Sequence, residues 1–315
     1  MRDLVAALLQ GDKRAAGKLI SLIEDDEPEA VDALQRIYPH TGRAHVVGFT
    51  GPPGVGKSSL INRLVRTFRA RGKTIGVVAV DPTSPYTGGA VLGDRIRMAD
   101  TGIDPGVFIR SMATRGHAGG LALATFDAVR VLDAMGSQVV FVETVGAGQS
   151  EVEIATRAHT VVVVEMPLTG DVVQTMKAGI LEIGDVYVVN KVDLGNADVL
   201  VANLKFQLAA REGWTPPIVR TAALEGQGIE ELADVLERHA IFLERSGFRH
   251  GREVARARQE ILETAQRLLV RGVSEGSPTG PLFDRLANAV ADRETDPHAA
   301  ARKLLESHPK KKRPR

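Results

Sequence analysis

A glycine-rich segment near the start of the chain carries the residue types that bind phosphate groups. GPPGVGKSS, residues 51–59, matches the pattern G-x-x-x-x-G-K-[ST] in full. Glycines at both ends let successive backbone N–H groups point inward, a lysine reaches the β- and γ-phosphates, and a hydroxyl is a hard oxygen ligand for Mg²⁺. The predicted nucleotide-binding residues here are Gly51, Pro52, Pro53, Gly54, Val55, Gly56, Lys57, Ser58 and Ser59.

Two carboxylates end apolar runs further along the chain. Asp81 closes TIGVVAVD and Glu143 lies in VVFVET. Ligands of parallel sheets bind beyond the carboxyl ends of the strands. We expect Ser58, Asp81 and Glu143 to form the Mg²⁺ site, with Asp81 bound directly or through water and Glu143 in the Walker-B position. The alternative is that each carboxylate merely caps the turn after its strand.

A second motif indicates which base is bound. The run DVYVVNK leads into Asn190-Lys191-Val192-Asp193, an N-K-x-D sequence. A carboxylate can accept two hydrogen bonds from guanine's ring N–H and amino group, a pair that adenine cannot offer. Asn190 would hold the loop, and the aliphatic stem of Lys191 would cover the base. The predicted base-binding residues are Asn190, Lys191, Asp193, Thr221, Ala222 and Ala223, the last three resembling an S/T-A-x loop. The nucleotide is therefore predicted to be GTP.

Two loops have the composition of segments that respond to the γ-phosphate. Residues 81–98 are rich in Gly, Pro and Thr, and ETVGAGQSE contains Gly146, which can approach a phosphate closely. Gln149 either positions the attacking water or supports the loop. We assign catalytic roles to Lys57, Glu143 and Gln149. The alternative is that both loops are static.

Three arginines in the same region could stabilise negative charge that develops during hydrolysis. They are Arg95, Arg97 and Arg115. Surface ion pairs explain them equally well. No arginine is placed by a motif as a finger, so slow intrinsic turnover is expected.

Six apolar runs rich in β-branched residues alternate with helical stretches over residues 44–245. Runs of this kind are typical of strands covered on both faces, so we predict an α/β P-loop NTPase domain there, with a mostly parallel sheet wrapped by helices. Residues 1–43 have helical spacing that Gly11-Asp12 breaks into two helices, and they are predicted to form an N-terminal helical arm. Residues 246–315 are predicted to be a C-terminal helical extension with helices over 254–270 and 282–291.

The composition excludes several classes of function. The 315 residues carry a formal net charge of +1, which gives no bias toward nucleic acid or acidic lipid. The chain contains no cysteine, so disulfides and thiolate chemistry are excluded. Neither a signal peptide nor an apolar run near the roughly 20 residues of a membrane span is evident. We expect a cytoplasmic protein, with the basic run at 310–315 a solvated tail.

The motifs together resemble the G proteins associated with methylmalonyl-CoA mutase, also called the MeaB, MMAA or ArgK type, within the SIMIBI class of P-loop GTPases. The resemblance spans nearly the whole chain and rests on GPPGVGKSS, VAVDPTSP, GDRIRM, MATRGHAGGLA, ETVGAGQSE, GDVVQTMKAGILEIGD and NKVD. It implies a GTP-hydrolysing chaperone that escorts adenosylcobalamin to an acyl-CoA mutase and protects that mutase.

The same resemblance implies a further switch at the partner interface, over Gly170-Asp171 to Lys177, and a C-terminal arm for homodimerisation. The chain reads MPLTGD where many relatives have a Pro-Gly-small-Gly stretch, which departs from the family at that switch. Two other functions stay open on this fold. One is a transport-associated ATPase or kinase, which Asp193 argues against; the other is a nickel-insertion GTPase, whose usual His or Cys clusters this chain does not show.

Overall fold

A seven-stranded sheet with all strands parallel forms the centre of the protein. The computed structural model describes residues 1–81, 104–113, 120–144, 157–167, 182–208, 213–273 and 280–307. The strands are β1 His45–Thr50, β2 Ile75–Asp81, β3 Val107–Ala113, β4 Val139–Glu143, β5 Thr160–Glu165, β6 Val186–Asn190 and β7 Ile218–Thr221. Their spatial order is β3-β2-β4-β1-β5-β6-β7. The predicted α/β class is confirmed.

Ten α-helices are described. They are α1 Arg2–Leu9, α2 Lys13–Glu24, α3 Pro28–Ile37, α4 Lys57–Ala70, α5 Gly120–Met135, α6 Ala197–Gln207, α7 Ile229–Ser246, α8 Phe248–Val273, α9 Gly280–Ala291 and α10 Pro297–Glu306. None of them combines the length and the apolar character that crossing a membrane requires.

The sheet is buried on both faces because helices cover each face, and neighbouring side chains along each strand point to opposite sides. Val46 and Val140 belong to one core cluster, which also receives apolar side chains from α1, α2, α3 and α5. Val47 and Phe141 belong to a second cluster, on the face covered by α4 and α7. This double coverage explains why the strand sequences are continuous apolar runs.

The prediction of six strands was wrong by one, since β3 was missed. Its sequence VFIRSMA includes Arg110, whose guanidinium pairs with Glu24 on α2. Among the described strands β3 pairs with β2 alone, so it is an edge strand and tolerates a charged residue that a central strand would exclude.

The N-terminal segment forms three helices rather than the predicted two. The predicted break at Gly11-Asp12 is present, and the Asp12 carboxylate caps α2 by accepting from Arg14 N at 2.7 Å and Ala15 N at 3.2 Å. A second break, unpredicted, follows α2. Leu8, Leu19 and Ile20 are fully buried in the first core cluster, so these helices complete one face of the sheet.

The chain divides into two compact units, Met1–His250 and Gly251–Arg315. The second unit holds most of α8 together with α9 and α10, the last of which no sequence pattern had indicated. Asp296 caps α10 by accepting from His298 N at 2.9 Å and Ala299 N at 3.0 Å. Ala300 and Leu304 are its buried apolar side chains.

Candidate functional site

The glycine-rich loop between β1 and α4 has a backbone that only glycine accommodates at two positions. Gly51 and Gly56 have φ angles of 138° and 95°. A Cβ on Gly51 would lie 2.1 Å from the carbonyl oxygen of Val164, and one on Gly56 would lie 2.5 Å from Nδ2 of Asn190. At such distances the Val164 backbone or the Asn190 side chain would have to shift. The loop is therefore packed directly against the ends of β5 and β6.

Lys57, the first residue of α4, turns its side chain back over this loop. Its ammonium donates hydrogen bonds to the carbonyl oxygens of Gly51 at 2.7 Å and Pro52 at 3.1 Å, and the residue is only 6% exposed. A buried cation held over a glycine-rich loop, at the positive end of a helix, is an arrangement that can bind a polyphosphate.

Ser58 and Glu143 meet although 85 residues separate them in the chain. The Ser58 hydroxyl donates to Oε1 of Glu143 at 2.7 Å, and Glu143 is buried at the end of β4. Both supply hard oxygen ligands, so the pair fits a Mg²⁺ ion that also binds phosphate oxygens. Among the residues that the structure describes, no group of three His, Cys, Asp or Glu could hold a metal by itself. Mg²⁺ at a phosphate site does not need one, because one or two carboxylates suffice.

Asp81 is the last residue of β2, as the sequence predicted. Ala79 pairs with Glu143 in the sheet, so Asp81 lies two residues farther toward the carboxyl edge on the neighbouring strand, a distance of about 7 Å. The backbone thus places Asp81 beyond the Ser58–Glu143 pair, at the same edge of the sheet.

Asn190 at the end of β6 joins three segments of the site. Its Nδ2 donates to the carbonyl oxygen of Val55 at 2.8 Å. Its Oδ1 accepts from the Thr221 hydroxyl at 2.9 Å and from Ala223 N at 3.1 Å. The side chain is 1% exposed, so all three bonds are shielded from water. The phosphate loop and the loop after β7 are therefore tied together through one amide.

The two residues of the base motif that follow occupy a tight turn. Lys191 has a φ of 60°, in the left-handed region, and Asp193 lies exposed in the 3₁₀ turn Val192–Leu194. The Cε atom of Lys191 is 3.9 Å from the position that a Cβ on Gly56 would take, so its stem runs beside the phosphate loop. The Asp193 carboxylate is open to an incoming ligand.

The backbone after β7 uses some of its donors internally. Ala222 N donates to the Gln227 carbonyl at 3.2 Å, and Ala223 N donates to Asn190. The sequence also gave no sign of Arg63, whose Nε donates to the carbonyl of Ala223 at 2.9 Å across 160 residues of chain. Contacts of this kind have no local pattern that could have revealed them.

Several predicted residues lie outside the described residues. They are Gly146, Gln149, Arg95, Arg97, Arg115 and the segment from Gly170 to Lys177, together with nearly all of the two proposed switch loops.

The parallel sheet, the glycine-rich loop and the helix that starts at Lys57 define a P-loop nucleoside triphosphatase. The family model described as methylmalonyl-CoA mutase-associated GTPase MeaB matches residues 16–277. The chain therefore belongs to the MeaB family of GTPases, as the sequence motifs had indicated.

Relatives agree with this assignment, and a solved structure has the same fold. The chain is 48% identical over 309 residues to a protein of Pyrococcus abyssi named as a GTPase, covering 96% of this chain and 95% of that protein. It is 33% identical over 243 residues to the GTPase ArgK of Escherichia coli, covering 74% and 73%. The crystal structure of an LAO/AO transport system kinase matches the fold with a TM-score of 0.69 at 24% identity, over 97% of this chain and 96% of that one.

Proposed function

We propose that this protein binds GTP with Mg²⁺, hydrolyses it, and uses the hydrolysis to gate the delivery of adenosylcobalamin to a methylmalonyl-CoA-type mutase, which it also protects. The observation that carries the proposal is the meeting of Lys57, Ser58 and Glu143 at one edge of the sheet with the Asn190 amide. One loop thereby joins the phosphate and base subsites.

In the proposed complex, the N–H groups of residues 54–58 and the Lys57 ammonium hold the β- and γ-phosphates. Ser58 and Glu143 would hold the Mg²⁺ ion, and Asp81 would bind it directly or through water. When bound, Mg²⁺ neutralises charge that develops on the phosphate oxygens. The Lys57 ammonium, which hydrogen-bonds the loop carbonyls, exchanges these for phosphate oxygens.

Guanine selectivity is assigned to the exposed Asp193 carboxylate, which accepts from the ring N–H and the exocyclic amine. Lys191 covers the base with its stem, and Asn190 holds the loop 221–223 in place. The protein is thus expected to prefer GTP over ATP.

Hydrolysis is proposed to proceed by in-line attack of water on the γ-phosphate, and loss of that phosphate releases the loops that contacted it. Gln149 and Gly146 are the proposed water-positioning and γ-phosphate-contacting residues. Without a partner-supplied charge, turnover by the isolated protein is expected to stay below about one per second.

The proposed partners are an adenosylcobalamin-dependent acyl-CoA mutase and a second copy of this chain. The family name supports the mutase. Support for the homodimer comes from the second unit, where α8 exposes apolar side chains that a partner would cover. They are Ile261, Leu262, Leu268, Leu269 and Val270, with exposed fractions of 43–70%.

Calorimetry with purified protein and Mg²⁺ tests the nucleotide site. GTP and GDP are expected to bind, and ATP is expected to bind far more weakly. Equal binding of ATP would instead favour a transport-associated kinase or ATPase, whose fold this chain shares. Failure to bind GTP would overturn the proposal.

A pull-down with adenosylcobalamin-loaded mutase tests the partner. Capture that depends on a non-hydrolysable GTP analogue is expected, with the empty mutase as the control. If the mutase is not captured in any nucleotide state, the proposed GTPase activity is unaffected and the proposed delivery function is refuted.

A further inference from the structure

Arg63 connects the phosphate-binding helix to the loop after β7. It lies on α4 six residues after Lys57, which is about 9 Å along the helix axis. Its Nε donates to the carbonyl oxygen of Ala223 at 2.9 Å, and its Nη2 donates to the carbonyl oxygen of Leu224. One guanidinium therefore binds two successive carbonyls of the loop proposed to face the base.

The base of this loop is closed by its own backbone. Ala222 and Gln227 form a two-way bridge at 3.2 Å in each direction, and Glu225 N donates to the Ala222 carbonyl at 3.0 Å. Gly228 closes the turn with a φ of 73°, where a Cβ would lie 2.0 Å from the Arg220 carbonyl. The tip, Ala223 and Leu224, is oriented by side chains from other elements.

The backbone donors at the tip are unequally used. Ala223 N donates to the Asn190 side chain at 3.1 Å. For Leu224 N–H, no acceptor exists among the described residues. This N–H belongs to the same planar trans peptide as the Ala223 carbonyl, so it points away from the Arg63 guanidinium. Donation by a cation to that carbonyl also polarises the peptide and strengthens its N–H as a donor.

We propose that Arg63 is a positioning residue for recognition of the 6-oxo group of guanine. By holding the carbonyls of Ala223 and Leu224, it aims the Leu224 N–H at that oxygen. Adenine presents an amino donor at the same position, so the aimed N–H also disfavours ATP. The inference rests on the proposed guanine site and adds a residue to it that no nucleotide-binding motif contains.

Two GTP analogues separate this contact from the one proposed for Asp193. In 6-thio-GTP, a sulfur, which is a weak acceptor, replaces the 6-oxo group, while the ring N–H and 2-amino group stay. ITP keeps the 6-oxo group and lacks the 2-amino group. The affinity ratio of GTP to 6-thio-GTP therefore reports on the loop at Leu224, and the ratio of GTP to ITP reports on Asp193.

The experiment measures the affinities of all three nucleotides by calorimetry, with Mg²⁺, for the wild-type chain and for Arg63→Ala. We expect Arg63→Ala to weaken GTP binding about tenfold. Its GTP to 6-thio-GTP ratio should fall toward one, and its GTP to ITP ratio should stay at the wild-type value. Arg63→Lys offers a compact ammonium instead of the forked guanidinium, so its GTP to 6-thio-GTP ratio should lie between those of the wild type and Arg63→Ala. The lysine variant replaces the alanine variant in the test if the latter does not fold.

Arg71→Ala is the matched control. Arg71 directly follows α4 as its C-cap residue and pairs with Glu230, Asp234 and Glu237 of α7. Its removal takes away the same charge and a set of contacts that does not include the loop at Ala223 and Leu224, so both nucleotide ratios should be those of the wild type.

Two results would overturn the role of Arg63. One is an unchanged GTP to 6-thio-GTP ratio in both Arg63 variants. The other is a parallel fall of both ratios, which indicates general loosening of the site. A wild-type chain that binds no GTP would instead refute the guanine site itself, and the inference with it.

Discussion

Replacing Asn190 by aspartate changes one atom at the junction of the site. The variant keeps the oxygen that accepts from the Thr221 hydroxyl and from Ala223 N. It replaces the Nδ2 donor, which lies 2.8 Å from the Val55 carbonyl oxygen, by a second carboxylate oxygen. Two acceptors then face each other in a site where the side chain is 1% exposed. The tie between the phosphate loop and β6 is lost.

The magnitude follows from the loss of one buried hydrogen bond. A buried carbonyl left without its donor costs about 1–3 kcal/mol, and repulsion by the facing carboxylate oxygen adds to this. We expect a total of about 3 kcal/mol. In a unit of this size, that corresponds to a fall of about 6–12 °C in melting temperature. If the binding of GTP has to restore the native conformation of the phosphate loop, the same cost lowers the affinity for GTP about 100-fold.

Thermal unfolding and calorimetric titration with GTP and Mg²⁺ measure both effects. Asn203→Asp is the control, since it makes the same chemical change at an exposed position on α6. That variant should melt and bind as the wild type does. If Asn190→Asp binds GTP within twofold of the wild type and melts at the same temperature, then the Asn190–Val55 bond does not organise the site.

Three further changes probe the loop, the metal and the core. Gly56→Ala should abolish GTP binding in calorimetry because its Cβ would lie 2.5 Å from Asn190 Nδ2. Gly54→Ala is the control: this glycine has a similar φ, but its Cβ would have nothing within 4 Å, so the variant should bind GTP measurably. Equal binding by both variants would contradict the packing argument. Ser58→Ala should lose Mg²⁺-dependent GTP affinity by about 10- to 100-fold, while Ser58→Thr keeps it; an alanine variant with an unchanged response to Mg²⁺ would remove the hydroxyl from the metal site. Burial lowers the pKa of His45 to about 3, so the unfolded chain binds the extra proton first: this group's contribution to stability is complete above about pH 6.5 and is lost as pH falls from there toward 3. In urea unfolding, the free energy of unfolding of His45→Gln should fall less than that of the wild type over that pH range. An identical fall in both proteins would refute the role of His45.

The sequence predicted the central strands of the sheet but not its edge strand, for one physical reason. Strands buried on both faces must be apolar throughout, so β1, β4, β5 and β6 can be recognised in the sequence as continuous apolar runs. The edge strand β3 is under no such constraint and carries Arg110, paired with Glu24 from a distant helix. The N-terminal helices were legible as amphipathic, but their burial against the sheet depends on partners far away in the chain.

The local parts of the site follow from the sequence alone. Gly51 and Gly56 have positive φ angles, and Lys57 hydrogen-bonds a carbonyl six residues away, so the motif encodes these features directly. The base motif likewise specifies which donors and acceptors are available, since these are properties of the side chains themselves.

Only the tertiary structure decided which of these groups meet. The pairing of Ser58 with Glu143, the bridge from Asn190 to Val55 and the hold of Arg63 on Ala223 span 85, 135 and 160 residues. Each depends on the strand order, which places β4 and β5 on either side of β1. A hydrogen bond is satisfied within about 3 Å, and the sequence fixes no distance between segments until the packing of the sheet brings their ends together.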